Sequence, residues 1–108
     1  MKSAFFLGDS RKRITSFPID AKRGAGFEIS KVQEGKEPSD WKPMASIGVG
    51  VKEIRIHSKG EFRVIYLATL PESVYVIHAF VKKTPRTPKP EIDIAKQRFK
   101  QLMGAKKP

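Results

Sequence analysis

The chain contains no cysteine, which removes disulfide bonds, a thiol nucleophile and cysteine-ligated zinc from consideration. Two histidines alone make a poor metal site, so neither a metal nor a cofactor is expected. Convincing spacing is also missing for a Ser/His/Asp triad, a paired-carboxylate site and a phosphate-binding glycine loop. The "GVG" at 48–50 reads as a turn. No apolar run approaches the roughly 18 residues of a membrane span, and the apolar part of "MKSAFFLGDSRKR" is too short for a signal peptide. A cytoplasmic location without a membrane partner is the expectation. Acidic residues are scarce, with 11 against 22 basic ones, a formal net charge of +11.

A length of 108 residues suits one domain, residues 1–108, and is short for two. Hydrophobic residues at 39% and charged ones at 31% are the balance of a chain that folds. Self-repulsion among the basic residues is costly unless a polyanion or an acidic protein relieves it. RNA, DNA, the ribosome or an acidic protein segment are therefore the expected partners. A membrane surface fits less well, because no long basic amphipathic helix carries the charge.

Segment 3–7, "SAFFL", reads as a first strand, closed by the turn or cap signal "GDS". Asp9 or Ser10 can cap a short basic helix, "RKRITSF", ending near Pro18. Proline is tolerated in a first helical turn, so a second helix is expected over 18–34, stopped by Gly35. Ala21, Ala25, Ile29 and Val32 recur at helical spacing as its buried stripe. Gly24 and Gly26 weaken that helix, unless they permit close packing against a sheet. Residues 36–50 hold two prolines, two glycines and the only tryptophan, and read as a connecting loop in which Trp41 is a packing anchor. Three strands follow at 51–57, 62–68 and 74–82, an antiparallel meander. The last helix, "PEIDIAKQRFKQLM", carries Ile92, Ala95, Phe99, Leu102 and Met103 on one face.

The first hairpin can be put in register from its own residues, since pairing must gather apolar side chains on one face. A three-residue loop, Ser58-Lys59-Gly60 with Gly60 left-handed, sets Ile56 opposite Phe62, Ile54 opposite Val64 and Lys52 opposite Tyr66. Arg55 then lies opposite Arg63 on the other face, with His57 at one end. Like charges opposed across a sheet repel, an arrangement that becomes favourable when an anion sits between them. The alternative is that both arginines are solvated or paired with Glu53 or Glu61. Simple alternation along the third strand puts Tyr75, Ile77, Ala79, Val81 and Lys83 on one face, with Lys83 beside the arginines and Lys82 at the rim. That face also carries Ile65, Leu67 and Ile77, so a helix or a partner protein must cover part of it. His78, in an apolar strand, reads as a satisfied core or interface histidine.

The segments "GVGVKEIRI", "EFRVIYLA" and "VYVIHAFVKKTPRTPKPEIDIAKQRF", with "FLGDSRKRITSFPIDAKRGAGFEISKVQEGKEPSD" upstream, resemble the RelE/HigB-like toxins of type II toxin–antitoxin modules, in particular their phage-derived branch. The resemblance covers nearly the whole chain. It implies an α+β, RelE-like fold: a mostly antiparallel sheet, two N-terminal helices and a C-terminal helix. It implies a metal-independent endoribonuclease that cuts mRNA on the ribosome, the 2′-hydroxyl attacking the adjacent phosphate. By position it makes Arg55, Arg63 and Lys83 or Lys82 the cations that steady the phosphorane, with His57 able to supply acid–base chemistry. Lys52, Arg86 and Lys89 are candidate RNA contacts. Relatives often carry a tyrosine, or an Asp/Tyr/His group, near the chain end, where this sequence has "TPRTPK", so the general acid and base stay open. The implied partners are mRNA, the ribosome and an antitoxin of helix-turn-helix type. A ParE-like inhibitor of DNA gyrase and a basic nucleic-acid-binding module without catalysis are the alternatives.

Overall fold

The alternation read over residues 51–82 builds the centre of the molecule in a computed structural model that describes residues 1–106. The elements are β1 (Ser3–Phe6), α1 (Ser10–Thr15), α2 (Ile19–Gln33), β2 (Trp41–Pro43), β3 (Val51–His57), β4 (Glu61–Leu67), β5 (Ser73–Lys82) and α3 (Lys89–Lys106). They make a compact α+β architecture around one five-stranded mixed sheet, ordered β1-β5-β4-β3-β2. Neighbours from β5 to β2 run antiparallel, while β1 lies parallel to β5. None of the described helices is long and apolar enough to cross a membrane.

The β3–β4 register follows from the sorting of side chains. Ile54 pairs with Val64, Ile56 with Phe62 and Lys52 with Tyr66, so the apolar members share the face on which α1 and α2 pack. Ile14, Phe17, Ala21, Ala25, Ile29 and Val32 complete that core. Gly24 brings α2 close to β3, since a Cβ there would come within 3.3 Å of Ile56. Gly35, at φ +83°, ends the helix by turning its amide back to the Val32 carbonyl at 3.0 Å. In the hairpin loop the left-handed residue is Lys59 at φ 52°, not Gly60; Gly60 sits at φ 153°, a conformation that also favours glycine, and the register is unchanged.

Two expectations fail for a local reason. The stretch 36–50 is not all loop, because Trp41–Pro43 adds an edge strand antiparallel to β3. Three residues are too few to show alternation, and Pro43 is tolerated because the strand is at an edge. Along β5, Ile65 pairs with His78 but Tyr66 pairs with Val76, leaving Ile77 as an extra residue in a bulge. The bulge shifts the alternation by one. Beyond it His78, Phe80 and Lys82 oppose Ile65, Arg63 and Glu61, whereas Ala79 and Val81 oppose Val64 and Phe62. Lys83 therefore does not share the Arg63 face as simple alternation predicted; it follows the last strand residue, and Lys82 takes that position.

The second face, with Ile65, Leu67, Tyr75, Ile77 and Phe80, is covered by α3 through Ala95 and Leu102 and by Met44 and Ile47 of the β2–β3 connection. Ile92, Phe99 and Met103 pack at its border. Gly48 lies so close under the Phe99 ring that any Cβ there would run into it. Polar contacts fasten α3 as well. Arg98 donates to Asp9 Oδ1 at 2.6 Å and to the Ile77 carbonyl at 3.1 Å, and Glu91 holds His78 Nε2 at 2.7 Å. Asp9 stands at the N-cap position of α1 but makes no capping bond. Its carboxylate bonds Arg13 and Arg98 instead and is held far below the usual carboxylate range by them.

Candidate active site at the hairpin end of the sheet

Strand alternation places Glu53, Arg55 and His57 of β3 on the α3 face of the sheet. Pairing brings Arg63 opposite Arg55, and Glu61 opposite His57. From β5, Lys82 stands opposite Glu61. From β2, Lys42 stands opposite Glu53, and the Asp40 carbonyl accepts the Arg55 amide at 2.8 Å. Four strand segments thus converge at one end of the sheet.

Burial grades this cluster from inside to outside. Glu53 has no exposed surface, and neither carboxylate oxygen has a hydrogen-bond partner. Its nearest cations are the Arg63 Nε at 3.7 Å and the Lys42 Nζ at 3.9 Å. Arg63 is buried, its Nη1 donating to Glu61 Oε1 and to the Phe62 carbonyl, both at 3.0 Å. The Nε atoms of Arg55 and Arg63 are both buried without a hydrogen-bond partner. Two guanidinium groups thus stand on opposed strands, each with a buried Nε donor unspent, and the Arg63 Nε lies nearest the Glu53 carboxylate.

His57 forms the outer wall. Its Nδ1 faces Glu61 Oε2 at 2.8 Å and its Nε2 faces Asp40 Oδ2 at 2.7 Å. Bonding to Asp40 first, then to Glu61, raises its pKa above the ordinary histidine value. Asp40 and Glu61 are lowered in turn, chiefly by His57. Ionised carboxylates accept only, so a carboxylate at each ring nitrogen favours the doubly protonated ring, in line with the raised pKa. His78 is the opposite case. It has no exposed surface, donates from Nε2 to Glu91 and accepts at Nδ1 from Arg98 at 3.2 Å, and burial pushes its pKa down.

The remaining candidates are dispersed. Lys83 and Arg86 are exposed on the connector to α3, and Lys89, the first residue of α3, pairs with Asp93 at 2.7 Å. Lys52 lies on the other face of the sheet, 4.3 Å above the Trp41 ring and 3.1 Å from Glu37, so strand parity separates it from the arginines. Sequence reading passed over Asp40 and Lys42, because their segment carried no strand signal. Glu53 and Glu61 were legible only as possible partners of the arginines. Among the described residues, no group of three or more His, Asp or Glu side chains is arranged to hold a metal ion.

The model of the family described as "Phage derived protein Gp49-like (DUF891)" matches residues 12–100. That family is one of RelE-like toxins. No curated protein matches the chain.

Proposed function

The chain belongs to the Gp49-like family of phage-derived proteins, and from that premise we propose that it is the toxin of a type II toxin–antitoxin module and acts as a metal-independent endoribonuclease on mRNA engaged with the ribosome. The observation that carries the enzymatic part is the Arg55–Arg63 pair with unspent Nε donors beside a charged His57. Its natural ligand is a phosphodiester. Arg55, Arg63 and Lys82 hold the non-bridging oxygens and stabilise the added charge as the 2′-oxygen bonds to phosphorus. Arginine keeps its proton, so proton transfer falls to His57 and its neighbours. The imidazolium gives its proton to the departing 5′-oxygen, and Glu61, bonded to both His57 and Arg63, accepts the 2′-proton. The products are a 2′,3′-cyclic phosphate and a 5′-hydroxyl. A cognate antitoxin, expected to be a helix-turn-helix protein, holds the activity in check.

Induced expression with mapping of RNA 5′ ends tests this directly. New ends in translated mRNA are expected, and Arg63→Ala should lower cleavage about 10²- to 10³-fold. His57→Gln should lower it by about 10²-fold or more. Intact mRNA with a DNA-damage response would overturn the ribonuclease in favour of gyrase inhibition.

A further inference from the structure

The two carboxylates on His57 are anchored differently. Glu61 stands opposite His57 in the β3–β4 register and is bonded as well to the buried Arg63, whose Nη1 donates to it at 3.0 Å. The Asp40 carboxylate, 2.7 Å from His57 Nε2, makes no second hydrogen bond among the described residues. Its main chain is fixed on both sides. The Asp40 carbonyl accepts the Arg55 amide at 2.8 Å, and the buried Glu28 accepts from the amide and the hydroxyl of Ser39, each at 2.8 Å. Only the side chain of Asp40 can turn. It is 44% exposed, so it swings into water without disturbing the fold.

Occupancy of Nε2 conflicts with the chemistry. The Nδ1 proton stays on the Glu61 side, so Nε2–H is the bond that breaks as the proton passes to the 5′-oxygen and the P–O5′ bond opens. While Asp40 accepts from Nε2, the leaving oxygen cannot. Asp40 is held below the ordinary carboxylate range chiefly by His57, and also by the charges of Arg55 and Arg63, the cations that await the phosphodiester. The other charged groups around His57 are Glu61 and Arg63 of β4, Glu53 and Arg55 of β3, Lys42 of β2 and Lys82 of β5, and none of them bonds Nε2. An exposed ion pair of this kind is weak, which lets an incoming phosphate displace it.

We propose that Asp40 is an internal competitor of the substrate: its carboxylate holds His57 Nε2 in the free protein, and the phosphodiester of a bound RNA displaces it before the proton passes. The proton step rests on the ribonuclease reading above. The test measures the affinity of the full chain for a 2′-O-methyl oligoribonucleotide, which lacks the attacking hydroxyl, and the pH dependence of cleavage of ribosome-bound mRNA. Asp40→Asn should bind the uncleavable probe about two- to fivefold more tightly. Asp20→Asn, at an exposed position of α2 on the other side of the sheet, should not. Asp40 raises the His57 pKa in the free protein, and kcat/KM reports the free enzyme whereas kcat reports the complex. Asp40→Asn should therefore move the alkaline limb of kcat/KM to lower pH and leave that of kcat in place. Unchanged or weaker binding, an equal gain from Asp20→Asn, or a shift of both limbs would overturn the proposal, the last because Asp40 would then stay on His57 throughout. Asp40→Ser, read in the same assays, serves if Asp40→Asn misfolds. If Asp40→Asn tightens the probe but neither it nor wild type cuts RNA, the ribonuclease fails and the competition for the phosphate stands.

Discussion

Glu53 and Arg63 form the most demanding pair in the molecule, because both are buried and their closest approach is 3.7 Å, longer than a hydrogen bond. Desolvating two charges costs several kcal/mol, and such a pair is tolerated mainly because each charge compensates the other. Arg63 also has Glu61 at 3.0 Å, whereas without Arg63 the buried Glu53 keeps only Lys42 at 3.9 Å. Arg63→Met is therefore expected to destabilise the protein by about 3 kcal/mol in urea unfolding, and combining it with Glu53→Leu should recover most of that loss. The two histidines differ in sign. His57 has a raised pKa from its carboxylate partners, so the stability it adds is fully present below the ordinary histidine value and is lost as pH rises through the raised one. His78 has a pKa lowered by burial, so its contribution is present above the ordinary value and is lost as pH falls through the lowered one. Comparing wild type with His57→Gln from about pH 5 to pH 9 should show a stability gap that closes at the alkaline end. A gap that widens with pH would mean that His57 is not held as an imidazolium.

At the scale of elements, α3 is the piece whose docking decides whether the arginine face is a protein interior or an open surface. Ala95 and Leu102 bury against the sheet, Arg98 and Glu91 tie the helix to β5 and α1, and Phe99 rests on Gly48. Gly48→Val forces a branched side chain into the Phe99 ring, and overpacking of this kind costs about 1–3 kcal/mol. The loss should be local. Hydrogen exchange should quicken in α3 while the amides of β4, paired on both sides, keep their protection. Uniform acceleration through β4 would show instead that α3 and the sheet open as one unit. The bulge at Ile77 belongs to the same scale, since it sends both Ile77 and His78 to the α3 face and thereby chooses Lys82 over Lys83.

For the whole molecule, the net charge of +11 is a statement about association before it is one about catalysis. Binding of single-stranded RNA should weaken linearly in log affinity against log salt, with each phosphate contact contributing about 0.7 to the slope. Arg55→Ala, Arg63→Ala and Lys82→Ala should each reduce the slope by about that amount, whereas Lys52→Ala, on the opposite face, should leave it unchanged. An equal effect from Lys52 would mean that RNA reads the overall charge and not the seat.

Local patterning determined much of this protein in advance. Period-two apolar residues specified β3 and β4 and their register, because a one-residue slip would have turned Ile54, Ile56, Phe62 and Val64 out of the core. From that register the Arg55–Arg63 opposition followed without any tertiary knowledge. Helical spacing likewise foretold the buried stripe of α2 and the inner face of α3. What the sequence could not decide were features with no period to read. A three-residue edge strand is too short to alternate, a bulge breaks alternation by one residue, and an ion pair such as Asp40 with His57 joins side chains seventeen positions apart. Tertiary structure decided those by packing: it buried Glu53 beside Arg63 and clamped His57 between two carboxylates.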